Sequence, residues 1–174
     1  MHTSLGYRLG AAALLIAIAV ILAALAFEHI GGYQPCPLCL TERYAYYVSI
    51  PVLFIALIAV AGGHSNWAAS GFSLVALAFL INAGLAGYHA GAEWGFWPGP
   101  STCSGSAQPL GGGNLLKDLA TVRVARCDQA TWWFLGLSFA AWNVVVSAIL
   151  WITSMRAAIE VRRSKSQAGA GFSF

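Results

Sequence analysis

"LGAAALLIAIAVILAALAF", Leu9 to Phe27, contains no charged residue and no proline. A helix needs about 20 apolar residues to cross a hydrocarbon core, and this stretch supplies them. Three further stretches of comparable length follow, at about 44–62, 67–88 and 131–155. No water reaches the backbone inside a bilayer, so each run must satisfy its own N–H and C=O groups as a helix. The expected fold class is an all-α membrane protein, a four-transmembrane-helix bundle with two extracytoplasmic loops. It occupies residues 1–160, and the polar tail 161–174 is expected to lack fixed structure.

Composition excludes the soluble alternative. Hydrophobic residues make up 59% of the 174-residue chain and charged residues 9%, against roughly 25% charged in ordinary soluble domains. The net charge of +3 is scattered, and no basic stripe with interleaved aromatics is present, which removes nucleic acid as a partner. Arg8, the apolar run and "ALA" at Ala24–Ala26 imitate a cleavable signal peptide. The run exceeds the roughly 7–15 residues of such a segment, so it is read as a retained span.

Arg156, Arg162, Arg163 and Lys165 cluster after the last span. Cationic residues mark the cytoplasmic side. With an even number of spans, both termini are then cytoplasmic, and the two larger loops, 28–43 and 89–130, lie outside. Lys117, Arg123 and Arg126 in the second loop work against that bias. Within this loop, "WPGPSTCSGSAQPLGGGN" has the Gly, Pro and Ser content of flexible chain. "NLLKDLATVRVARC" places Leu115, Leu116, Leu119 and Val122 at helical spacing. That pattern suits a short amphipathic helix on the membrane surface, or equally an ordinary loop helix.

The four cysteines, Cys36, Cys39, Cys103 and Cys127, all fall in the two larger loops. In an oxidising compartment that number suggests two disulfides, with three pairings possible. Cys36 and Cys39 pair most easily because they stay within reach in any fold, leaving Cys103 with Cys127. Structural zinc needs four ligands, usually in two close pairs, and the second pair is too widely spaced for that. A purely structural role competes, but so small a loop is a poor staple, and exposed or strained disulfides are the exchangeable ones.

"QPCPLCLTER", Gln34 to Arg43, holds the first pair. The second helix is expected to begin near Leu40–Thr41, which puts Cys39 at its N-terminus, where a thiolate is favoured. Arg43, one turn on, is placed to reinforce this, and Glu42 to oppose it. Asn82 and Asn143, inside spans, are expected to hydrogen-bond between helices. Trp94, Trp97, Trp132 and Trp133 suit an interfacial belt.

Together "CPLCLTER", "GYHAG" (87–91) and "CDQATWWFLG" (127–136) resemble the disulfide bond formation protein B (DsbB) family over about Leu9 to Trp151. The resemblance implies a bacterial inner-membrane protein-dithiol:quinone oxidoreductase. Such an enzyme reoxidises a DsbA-like soluble periplasmic thiol oxidase, a relay known for keeping a periplasm oxidising. It implies catalytic disulfides Cys36–Cys39 and Cys103–Cys127, with Cys103 meeting the partner, Cys127 resolving, and Cys39 delivering electrons to the quinone. Arg43 and His89 match the family's quinone-site residues. The cofactor is ubiquinone or menaquinone, and no metal is implied. Two alternatives stand beside this: a non-enzymatic membrane protein with structural disulfides, and a family member dedicated to one substrate.

Overall fold

A computed structural model describes residues 5–99, 127–128, 130 and 132–170 of the chain. Four long helices account for most of them: α1 (Leu5–His29), α2 (Pro37–Ala61), α3 (Ser65–Glu93) and α4 (Phe139–Ala170). Each is long and apolar enough to cross a membrane. Successive helices pack side by side, and α1 closes the ring against α4. The molecule is a four-span all-α membrane bundle.

In α1 the two faces differ in residue size more than in polarity. Along α1, Gly6, Gly10, Ala13, Ala17 and Ile21 are buried, a stripe at three- and four-residue spacing. Small residues let helix backbones approach closely where lipid supplies no hydrophobic drive between helices. A Cβ on Gly10 would sit 2.6 Å from the ring of Phe72, which is itself fully buried. The outer faces carry Leu15, Leu22, Phe54, Ile55, Ile81 and Ile152, all exposed. In water such a surface would aggregate; in a bilayer it is the solvated face.

The helices are longer than the hydropathy runs suggested. α2 starts at Pro37, seven residues ahead of the expected span, because proline is suited to the first helical position and Cys36 caps the end. α4 starts later than expected, at Phe139. Residues 133–138 form a small hairpin, β1 (Trp133–Phe134) and β2 (Leu137–Ser138), paired antiparallel. Its two-residue turn has Leu135 at φ 51° and Gly136 at φ 79°, the positive pair that a tight hairpin needs. The apolar composition of "WWFLGLSF" concealed this turn.

Beyond the bilayer, α4 continues to Ala170, so the segment expected to lack structure is helical that far. Its 32 residues extend roughly 48 Å, well past a hydrocarbon core of about 30 Å. Lys165 Nζ donates to Asn66 Oδ1 at 3.0 Å, tying this extension to the start of α3. The loop positions 100–126, including Cys103 and the amphipathic segment, lie outside the described residues.

Candidate functional site

The end of α1, the start of α2, the end of α3 and the start of α4 meet at one end of the bundle. Cys36 occupies the N-cap of α2, with φ −75° and ψ 164°. Its Sγ accepts the backbone N–H of Cys39 at 3.2 Å, a cap usually made by an oxygen. The two sulfurs are 2.9 Å apart and both thiols are free. The pair therefore stands in this structure as two thiols, roughly 0.9 Å beyond a bonded S–S distance.

The helix terminus acts on Cys36, not on Cys39 as the sequence suggested. The hydrogen bond from the Cys39 thiol holds the Cys36 thiol well below the ordinary thiol value. The neighbouring His89 and the Cys39 backbone N–H act in the same direction, against the penalty of burial. A lowered pKa keeps the thiolate populated as pH falls below the usual thiol range.

His89 is buried. Its Nε2 lies 3.5 Å from Cys36 Sγ, and its Nδ1 lies 2.8 Å from Glu42 Oε1. A carboxylate only accepts, which places a proton on Nδ1. Asn143 Nδ2 donates to the other Glu42 oxygen at 2.6 Å, and Tyr46 Oη donates to Asn143 Oδ1 at 2.6 Å. Deeper in the bundle, Asn82 Nδ2 donates to Ser147 Oγ at 3.0 Å. Asn82 and Asn143 thus bond between helices as expected, and the partners of Asn143, Glu42 and Tyr46, are side chains of the site.

Glu42 was legible only as an opponent of Arg43. In the structure the two take different partners: Arg43 pairs with Glu28 at the end of α1, while Glu42 is bonded to His89 and Asn143. An ionisable residue inside a span is a functional signal by itself, and the i, i+4 register of Glu42 and Tyr46 puts both on one face. Glu93 was also missed, although it stands one turn after His89. Its Oε1 lies 3.9 Å from His89 Nε2, and its other oxygen accepts from Ser138 Oγ. The hairpin positions Ser138, which also takes the Ala141 N–H at 3.2 Å and caps α4.

Cys36, Cys39, Glu42, Arg43, His89 and Glu93 all line one cavity of about 240 Å³. Its apolar walls include Val20, Ala24 and Phe27 from α1 and Phe139 and Val146 from α4. Cys127 is buried and packs with Cys36, with Leu38 and Cys39 alongside; it is disulfide-bonded. Trp94, Trp97 and Trp133 are exposed at this same end, and Trp132 stacks on Phe139.

Four apolar spans with a free dithiol at the start of one helix, beside a third, bonded cysteine, define a multi-pass membrane protein of thiol–disulfide chemistry. The model of the disulfide bond formation protein DsbB family matches residues 7–157, and the chain belongs to that family. It is 33% identical over 144 residues to disulfide bond formation protein B of Methylococcus capsulatus, covering 75% of this chain and 80% of that one. The protein of the same name from Paracidovorax citrulli is 30% identical over 152 residues, covering 80% and 82%. No solved structure matches the chain. Family membership makes it a disulfide-forming oxidoreductase of the membrane.

Proposed function

We propose that the chain reoxidises a DsbA-like soluble thiol oxidase and passes the electrons to a quinone, ubiquinone or menaquinone. The observation that carries this is the position of the dithiol. On one side Cys36 packs against Cys127; on the other, both thiols line the cavity with Arg43 and His89. The pair stands between a disulfide and an apolar chamber, where a relay would need it.

The residues of the chamber fit a quinone. Its walls are aliphatic and aromatic, while Arg43 brings N–H groups suited to carbonyl oxygens and His89 adds an imidazole. A quinone bound there supplies a two-electron, two-proton acceptor. Arg43, steadied by Glu28, and His89, steadied by Glu42, hold and orient it. Phe27, Phe139 and the α1 aliphatics exclude water.

Exchange between the cysteine pairs runs through Cys36. The reduced partner attacks Cys103 and leaves Cys127 as a thiolate. Cys127 attacks Cys36 and expels Cys39. The partner's second thiol attacks its mixed disulfide with Cys103, leaving as oxidised partner, and the freed Cys103 thiolate attacks Cys127 and expels Cys36, so the inner pair ends reduced. Cys39 delivers electrons toward the chamber, and the stabilised Cys36 thiolate closes the disulfide on the Cys39 sulfur. Each cycle consumes two partner thiols and yields one disulfide.

Sidedness follows from charge. Arg162, Arg163 and Lys165 are exposed on α4, at the end opposite the cysteines, so we place that end and both termini in the cytoplasm. The cysteine end then faces the periplasm.

Cys103→Ala tests the order of the relay. Partner oxidation should be lost, while oxidation of the chemically reduced Cys36–Cys39 pair by added quinone proceeds at the wild-type rate. An unaffected rate with partner would show that electrons enter elsewhere.

A further inference from the structure

We propose that the reduced Cys36–Cys39 pair and His89 form a binding site for one thiophilic divalent cation of the Zn²⁺ type. The three donor atoms, two Sγ and His89 Nε2, lie within 4.8 Å of one another. A tetrahedral zinc site, with Zn–S near 2.3 Å and Zn–N near 2.0–2.1 Å, sets its donors ~3.5–3.8 Å apart. The Cys36 Sγ to His89 Nε2 separation is 3.5 Å already. The sulfurs, at 2.9 Å, open by roughly 0.8 Å to meet that spacing, and the Cys39 Sγ to His89 Nε2 separation, within 4.8 Å, closes toward it.

The surroundings are those of a metal centre rather than of three residues that happen to meet. His89 Nδ1 is engaged by Glu42, which fixes the ring and leaves Nε2 to face the sulfurs. This is the carboxylate–histidine–metal arrangement that raises ligand basicity. Glu42 is itself held by Asn143, and both Glu42 and His89 are buried. The fourth position falls to the carboxylate of Glu93, 3.9 Å from His89 Nε2, or to water from the cavity that Glu93 also lines. Two sulfurs and a nitrogen select Zn²⁺ or Cd²⁺ over Mg²⁺ and Ca²⁺. Ligand spacing in the sequence hid the site because its third donor comes from α3.

Binding exchanges thiol protons for the cation and moves no electrons. Oxidation to the disulfide removes both sulfur donors, so the cation and the Cys36–Cys39 bond exclude each other. The cation would hold the pair reduced and stop turnover; that consequence alone rests on the function proposed above.

The test uses full-length protein in detergent, carrying Cys103→Ser and Cys127→Ser so that only the inner pair offers thiols, with neither quinone nor partner present. Cd²⁺ is titrated into the reduced protein, the thiolate-to-cadmium absorption is followed, and Zn²⁺ is added in competition. One Cd²⁺ per chain is expected, displaced by Zn²⁺ and absent after oxidation of the pair. His89→Ala should weaken binding by about tenfold or more. X-ray absorption on the Zn²⁺ form with His89 intact should give two sulfurs at about 2.3 Å together with nitrogen or oxygen neighbours. No binding by the reduced pair, equal binding by the oxidised pair, unchanged affinity in His89→Ala, or a four-sulfur shell would each overturn the proposal. Because no quinone is present, these outcomes are separate from failure of the relay.

Discussion

Cys39→Ala is expected to oxidise a single equivalent of reduced partner and then stop, with steady turnover reduced by at least about a thousandfold. The burst comes from the outer disulfide, which the substitution leaves in place. Turnover stops because Cys36 has no second sulfur to bond: its nearest thiol, 2.9 Å away, is gone. The cap survives in part, since the backbone N–H of residue 39 still reaches Cys36 Sγ, and the helix start is retained. Following free partner thiols over many equivalents with quinone in excess separates burst from turnover. Sustained oxidation by this variant would mean that the inner pair is not on the path.

The second large effect is expected at Glu42, which lines the cavity and hydrogen-bonds to His89 and Asn143. Glu42→Ala removes the acceptor for His89 Nδ1 and for Asn143 Nδ2. Leaving a buried polar group unpaired costs about 1–3 kcal/mol in soluble proteins. Between membrane helices, where released groups find other partners, a hydrogen bond averages about 0.6 kcal/mol. The lower figure governs here, because Tyr46 and Ser147 stand beside Asn143, so the bundle should still fold. Catalysis suffers more: His89 loses the contact that aims it at Cys36 and the chamber. Turnover should fall by roughly 10–100-fold, the range for losing a residue that orients a functional histidine. Glu42→Gln, which can accept only one of the two bonds, should fall between. Turnover measured beside thermal unfolding separates the two effects. Wild-type turnover in a folded Glu42→Ala protein would contradict the positioning role.

The bundle was legible because lipid imposes one rule on every span: twenty apolar residues, internally bonded. The ends were less so. Hydropathy does not register a cap, so Pro37 and Cys36 as helix start were missed, and with them the thiol that the helix terminus favours. "WWFLGLSF" reads as span by composition, yet Leu135 and Gly136 turn it into a hairpin that delivers Ser138 to Glu93. Among the site residues, the local motif exposed Cys36, Cys39 and Arg43, which are neighbours in sequence. The partners that set their chemistry come from other helices: Glu28 for Arg43, and His89 for Cys36. Spacing along one segment carries no information about those pairings. Glu42 was visible throughout, but its direction depends on which helix lies beside α2.

The central claim is that the Cys36–Cys39 pair links partner thiols to quinone. Its most direct measurement follows both ends at once in the purified wild-type protein: thiols lost from a reduced DsbA-like partner, and quinone lost by its ultraviolet absorption. Two thiols should disappear for each quinone reduced, at equal rates throughout the reaction. Partner oxidation without quinone loss, or quinone loss without partner oxidation, would contradict it.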